Sequence, residues 1–298
     1  MTLALEATGL GRRYGRKWAL RDCTLALPAG RVIGLVGPNG AGKTTLLSLA
    51  VGLLRPSQGE IRILGRPPRS PGTVAEVGYV AQDKPLYRGL TVAETLRMGG
   101  WLNPTWDHDL ARNRMVRADI PLNQKVSQLS GGQRSQLALA VALGKRPTLL
   151  LLDEPVADLD PLARREFLRV LMEEVADSAI TVVLSSHLLA DVERTCEYLV
   201  LLSTSHVQVA DDTDALLEQH RMVTGPRANA AALAGEHTVV HAEYTPRQAS
   251  LLIRTRDPIN DPTLTVRPVS LEELALAYMS APATNGTLVV PPSQEISA

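Results

Sequence analysis

Gly37-Pro38-Asn39-Gly40-Ala41-Gly42-Lys43-Thr44 concentrates more chemistry than any other stretch of this sequence. Its glycines let the backbone curl so that successive amide hydrogens point inward at an anion. The order Gly, four residues, Gly-Lys-Thr is the pattern of a phosphate-binding loop, or P-loop. In that pattern Lys43 reaches the terminal phosphates of a nucleotide and the Thr44 hydroxyl can ligate Mg²⁺. Thr45 is placed to contact the inner phosphate.

A second set of groups lies at Asp153-Glu154, after the apolar run Leu149-Leu150-Leu151-Leu152. Two adjacent acids at the end of a buried strand are costly unless something pairs with them. Beside a nucleotide, Asp153 suits the metal and Glu154 suits the attacking water, which it can orient and deprotonate. Gln82 and His187 each follow a short apolar run, Val77–Val80 and Thr181–Leu184. That placement makes Gln82 a candidate for the metal or the water and His187 one for the γ-phosphate. Leu129-Ser130-Gly131-Gly132-Gln133 has the form of a capping box ahead of an apolar helix. Capping accounts for Ser130 and Gln133 but not for two glycines in the first turn. A bare helix N-terminus is an anion site, and a second phosphate-reading surface suggests a second chain closing over the nucleotide.

These residues need elements to hold them. Val32–Val36 reads as a buried strand leading into the P-loop, and Lys43–Val51 as the helix after it. Further strands are expected at Glu60–Leu64, Val77–Val80, Leu149–Leu152 and Thr181–Leu184. Helices at Leu162–Val175 and Leu188–Cys196 supply crossovers, so the fold is α/β. Continuous apolar strands suit a parallel sheet covered on both faces. Ligands of such sheets sit beyond the carboxyl ends of the strands. Thr91–Arg117, helical and interrupted at Asn103-Pro104, reads as an inserted helical subdomain, about residues 88–145 once the helix after Ser130 is included. Beyond about residue 220 the composition changes and Gly225-Pro226 reads as a break. Short strands are expected at His237–Tyr244 and Ala249–Thr255 and a last helix at Leu271–Met279. The Pro-, Thr- and Ser-rich stretch from Pro282 onward reads as a disordered tail. The divisions expected are therefore 1–219, 220–281 and 282–298.

The chain has 298 residues, 45% hydrophobic and 21% charged, with no net charge. Wholesale disorder is excluded by that balance. No bulk positive field draws the chain to nucleic acid, and aromatics at 3%, with a single Phe, leave few platforms for bases. No nucleic-acid partner is expected. The longest apolar run, Leu137–Gly144, is far short of the roughly 20 residues needed to span a bilayer. No secretory signal opens the chain, so a soluble, cytoplasmic protein is expected. Cys23 and Cys196 stand apart from any ligand-spaced partner and read as buried thiols.

Taken in order, Gly37–Thr44, Gln82, Leu129–Gln133, Leu149–Glu154, Leu159-Asp160 and His187 resemble an ATP-binding subunit of an ABC transporter, over roughly residues 1–215. The resemblance implies a P-loop NTPase core with a mostly parallel sheet, a small N-terminal antiparallel sheet, the helical insertion and a small C-terminal α+β appendage. It implies ATP and Mg²⁺, and a head-to-tail dimer with Ser130, Gly131, Gly132, Gln133 and Asp160 acting across the interface. It implies Tyr14 on the adenine, and Gln82 in a loop that senses a separate membrane permease on the inner face of the cell membrane. A soluble relative acting on ribosomes or DNA is the alternative, but such relatives usually carry two cassettes or a long coiled-coil insertion. One departure stands out: Ala157-Asp158 replaces the usual small polar residue followed by Ala or Gly. Residues 220–281 are similar to the tails of ATPases that power drug or antibiotic exporters.

Overall fold

The computed structural model describes residues 2–280. The tail reading for 282–298 lies outside the described residues. The chain opens with two long strands, β1 (Leu3–Tyr14) and β2 (Lys17–Pro28), paired as an antiparallel hairpin. Next come β3 (Val32–Val36), α1 (Lys43–Ala50), β4 (Gln58–Ile63), α2 (Pro71–Glu76) and β5 (Val77–Val80). The helical insertion is α3 (Val92–Leu102), α4 (His108–Arg117) and α5 (Gly131–Gly144). After it run β6 (Leu149–Leu152), α6 (Pro161–Asp177), β7 (Thr181–Ser186), α7 (Leu189–Glu193), β8 (Tyr198–Ser203), β9 (His206–Asp212) and α8 (Thr213–Glu218). The C-terminal part holds β10 (His220–Pro226), α9 (Arg227–Glu236), β11 (Thr238–Tyr244), β12 (Gln248–Arg254), β13 (Thr265–Pro268) and α10 (Leu271–Ser280).

The central sheet has the order β5-β6-β7-β3-β8-β9. Every pairing from β5 to β8 is parallel, and only β8–β9 is antiparallel. Its strands are apolar throughout because both faces are covered. Leu150, Leu152, Val182 and Leu184 face a core completed by Phe167 and Leu171 of α6 and by Leu139 and Leu143 of α5. Leu149, Leu151, Ile33, Leu35 and Val183 face the opposite core, made with Leu46, Leu47 and Leu49 of α1 and with β1, β2 and β4. Consecutive residues of one strand thus feed alternate cores. β1 also pairs with β4, which gives the three-stranded antiparallel sheet β2-β1-β4.

The insertion has its own small core around Val92, Leu96, Ala111, Met115, Leu129 and Leu137. A capping box starts α3: Glu94 N–H donates to Thr91 Oγ1 at 3.2 Å, and Thr91 N–H donates to Glu94 Oε2 at 2.8 Å. Asp107 caps α4 through Leu110 N–H at 2.8 Å. Each such cap stabilises its helix by about 1 kcal/mol.

Three features in the second half of the chain differ from the sequence reading. Gly225-Pro226 is no break: both residues belong to β10, where they pair with Ala249 and Gln248. β10 lies inside the antiparallel sheet β11-β12-β10-β13, and neither it nor the short β13 is marked by strand alternation. α7 covers five residues rather than the full Leu188–Cys196, because Thr195 and Cys196 already turn toward β8. Both cysteines are buried and free, and burial pushes each thiol up to about 12. Among the described residues no helix is long and apolar enough to cross a membrane.

α10 packs Leu271, Leu274, Ala275 and Tyr278 into the same core as Leu199 and Leu201 of β8. At its centre His220 is fully buried between Leu216 O, 2.6 Å from Nδ1, and Tyr278 Oη, 2.9 Å from Nε2. The neutral ring meets both: Nδ1–H donates to the carbonyl, and Nε2 accepts from the phenol. Desolvation holds this histidine down at about 4, against 6.5 ordinarily. An unfolded chain takes up the proton below pH 6.5 and the folded chain resists until about 4. The unfolded state therefore binds more protons in that window, and stability falls with falling pH by up to about 1.4 kcal/mol per unit. Urea unfolding midpoints measured from pH 7.5 to 4 should show this decline, and His220→Gln should start lower but fall less steeply.

Candidate functional site

Because β3, β5, β6 and β7 run parallel, their carboxyl ends share one edge of the sheet. From that edge leave the P-loop, the Gln82 segment, Asp153-Glu154 and His187. Two P-loop positions, Gly37 and Gly42, fit against the rest of the fold only as glycine. A Cβ on Gly37 would lie 2.2 Å from Leu202 O, and one on Gly42 would lie 2.5 Å from Ala19 O. Gly42 also has φ +112° and caps α1 with no side-chain acceptor. The first amides of α1 are thus left to an anion, which is the electrostatic preference of a helix N-terminus.

Lys43 is almost fully buried. Its ammonium donates to Gly37 O at 2.7 Å and to Pro38 O at 3.4 Å, and lies 3.2 Å from Glu154 Oε1. The other oxygen of that carboxylate, Oε2, is 3.0 Å from Nδ1 of the more exposed His187. One carboxylate therefore bridges the P-loop lysine and the histidine after β7. Glu154 holds a left-handed backbone, φ 44°, a conformation that costs a non-glycine residue on the order of 1–3 kcal/mol. A residue missed in the sequence secures this turn. The buried hydroxyl of Ser185 donates to Asp153 Oδ1 at 2.8 Å and accepts from Glu154 N–H at 2.8 Å. Its signal was available: Ser185-Ser186 are the only polar residues closing the apolar strand before His187.

Asp153 is fully buried, and its Oδ2 has no hydrogen-bond partner among the described residues. Burial raises its carboxyl above the usual range, and the Ser185 hydrogen bond and the neighbouring Thr44 hydroxyl only partly offset this. An orphaned carboxylate oxygen beside a P-loop hydroxyl fits a hard cation that keeps most of its water and takes few protein ligands. Thr44 and Asp153 are the residues that would hold Mg²⁺. Gln82 is exposed in the turn after β5, and Pro38, Asn39 and Gly40 are exposed at the tip of the P-loop. Ala41 is buried under the loop and Thr45 half-buried. Tyr14, at the end of β1, is half-exposed, with the Arg12 guanidinium 4.8 Å from its ring centroid.

Ser130, Gly131, Gly132 and Gln133 do not join this cluster. Ser130 is exposed and caps α5, with Gln133 N–H donating to its Oγ at 3.2 Å and its own N–H donating to Gln133 Oε1 at 2.9 Å. No hydrogen bond or ion pair among the described residues links 130–133 to the P-loop. Gly132 has a packing reason within the chain, since a Cβ there would lie 3.2 Å from Ala163 Cβ of α6. Gly131 has only the more distant Asp158 O, at 3.9 Å from its would-be Cβ, and keeps an open face. Asp160 caps α6, accepting from Leu162 N–H at 3.0 Å and Ala163 N–H at 2.9 Å, and is exposed beyond that.

A mostly parallel sheet with a P-loop, an Asp-Glu strand end and a capped Ser-Gly-Gly-Gln helix on an inserted subdomain defines an ATPase cassette. Residues 20–157 match the family described as ABC transporter. Nod factor export ATP-binding protein I of Rhizobium leguminosarum bv. viciae is 33% identical over 226 residues, 73% of this chain and 72% of that protein. Its namesake in Sinorhizobium fredii is 31% identical over 301 residues, 92% of this chain and 85% of that one. A solved ATP-binding subunit of an ABC transporter superposes with a TM-score of 0.66 at 29% identity, covering 73% of this chain and 93% of its own. The chain belongs to the ATP-binding subunits of ABC transporters, and its activity is ATP hydrolysis.

The cost of burying Asp153 gives a test that separates stability from turnover. Its raised pKa means that the folded state disfavours the charged carboxylate, so removing that charge stabilises the fold at neutral pH. Asp153→Asn should raise the Tm of the nucleotide-free protein, by about 2–4 °C for each kcal/mol relieved, and at the same time lower Mg²⁺-dependent turnover. Differential scanning calorimetry beside a phosphate-release assay checks both.

Proposed function

We propose that this chain powers export through a separate polytopic membrane permease, docked at the inner face of the cell membrane, by ATP-driven closure of a dimer of two copies. The observation that carries the catalytic part is the Glu154 carboxylate held between Lys43 Nζ and His187 Nδ1 beyond the end of β6. ATP sits with its phosphates in Gly37–Thr45 and its adenine against Tyr14. Lys43, freed from Glu154, turns to the terminal phosphates. Glu154 then orients and deprotonates the attacking water, and His187 faces the γ-phosphate. When bound at Thr44, Asp153 and Gln82, Mg²⁺ supplies charge neutralisation for the β- and γ-phosphates.

The exposed Ser130, the half-buried Gly131–Gln133 turn that follows it and Asp160 close the site in trans, from the partner copy. The open face of Gly131 and, among the described residues, the absence of hydrogen bonds or ion pairs from 130–133 to the P-loop support that reading. Residues 1–219 form the ATP-binding unit with its helical insertion at 88–145, and 220–281 an accessory unit. The export direction is supported by the relative aligned over 92% of the chain, which is by name an export protein.

Two variants test the roles. Glu154→Gln should retain ATP binding and lower turnover by on the order of 10²-fold or more, the usual scale for loss of a general base. Turnover near the wild-type rate would remove Glu154 from that role. Lys43→Ala should abolish binding of the terminal phosphates, since their point-charge partner is gone. ATP affinity by calorimetry that stays unchanged in this variant would overturn the cradle assignment. Capture of tagged Glu154→Gln protein from detergent-solubilised membranes, with ATP present, should recover a stoichiometric polytopic membrane protein.

A further inference from the structure

The departure at Ala157-Asp158 removes a hydrogen-bonding side chain and adds a charge. We propose that Asp158 and Lys84 form a positioning pair that ties the loop carrying Gln82 to the loop carrying Asp160 within one chain, and so sets the rate of hydrolysis rather than the affinity for ATP. This inference rests on the roles given above to Glu154 and to the Asp160 loop.

Three segments meet at this point. Lys84 follows Gln82 in the turn after β5, with a left-handed φ of 46°. Its side chain is only 9% exposed, and its ammonium lies 4.0 Å from Asp158 Oδ2, whose side chain is 81% exposed. Among the described residues no other carboxylate lies within 4.0 Å of it, and the ammonium makes no side-chain hydrogen bond. Asp158 is therefore the nearest compensating charge for a largely buried ammonium.

The backbone on the Asp158 side is already seated on α5. The fully buried Ser135 hydroxyl reaches Gly131 O at 3.2 Å and Pro155 O at 3.5 Å, and Asp158 O faces Gly131. The start of α5 and the 155–160 loop therefore form one surface. The Lys84–Asp158 pair is what fastens the Gln82 turn to it. The same 155–160 loop begins directly at Glu154, so its position bears on the general base, whereas the phosphates are assigned to P-loop amides that the pair does not contact. A missing hydrogen bond across the dimer through Ala157 is thereby replaced by an electrostatic tie inside each chain.

A partly exposed ion pair of this geometry changes rates only modestly, by about two- to five-fold, and is screened by salt. The experiment is steady-state ATP hydrolysis by the full chain with Mg²⁺. It is run at about 0.1 M and about 1 M salt, where the screening length shrinks from about 10 to about 3 Å. Lys84→Gln and Asp158→Asn should each lower kcat about two- to five-fold at low salt, leave KM for ATP in place, and flatten the salt dependence of kcat. The exchanged pair, Lys84→Asp with Asp158→Lys, should recover most of the loss. Wild-type kcat in either single variant, or an exchanged pair no faster than the slower single variant, would overturn the proposal. Glu154→Gln, assayed alongside, keeps the two readings apart. Wild-type turnover in that variant sinks the catalytic assignment, whereas its loss together with unaffected Lys84 and Asp158 variants sinks only the pair.

Discussion

Burying an ammonium and two carboxylates at one point of a sheet edge is the constraint around which this molecule is built. Lys43, Asp153 and Glu154 all lie out of water. Charges so placed are stable only if each has partners. Lys43 finds two P-loop carbonyls and Glu154, Asp153 finds Ser185, and Glu154 also faces His187. The arrangement is still incomplete, because among the described residues Asp153 Oδ2 has no hydrogen-bond partner and α1 has no side-chain cap. In the function proposed above, a nucleoside triphosphate with its cation would supply what both lack. On that reading, substrate binding completes an electrostatic network rather than filling an empty cavity.

The parallel sheet makes this possible at no extra cost in topology. Parallel strands linked by crossovers deliver all their carboxyl ends to one edge. The two cores then hold those ends rigid through alternating residues of β3, β6 and β7. Rigidity matters because Glu154 is kept in a strained backbone turn, and Ser185 reaches it from the neighbouring strand, 31 residues away in sequence. By contrast, the Ser130 and Asp160 turns stand on helix N-termini and are exposed. In the proposed dimer they are the turns that meet the partner copy.

The C-terminal part is joined to this core rather than strung from it. α10 contributes to the same apolar cluster as β8, and Leu252 of β12 reaches into it. The His220–Tyr278 contact lies where β10, α8 and α10 meet, and its neutral imidazole makes the joint sensitive to acid.

The P-loop, the Asp-Glu strand end, the Ser130–Gln133 cap and the apolar strands were legible in the sequence because each is a local pattern. Glycine spacing, strand length and capping boxes act over fewer than ten residues, within reach of simple steric and hydrogen-bonding rules. The roles of Ser185 and Lys84 were not legible. Their partners, Asp153 and Asp158, lie far away in sequence and are brought near only by strand order. Nor was β10, since Gly225-Pro226 is a turn signal by local rules and becomes a strand end only because β12 offers the opposing ladder. Sequence alone therefore determined which chemistry the chain carries and on which elements it rides. Tertiary structure decided which charges touch, because burial and strand neighbourhood, not spacing along the chain, set the distances over which an ion pair or a hydrogen bond can act.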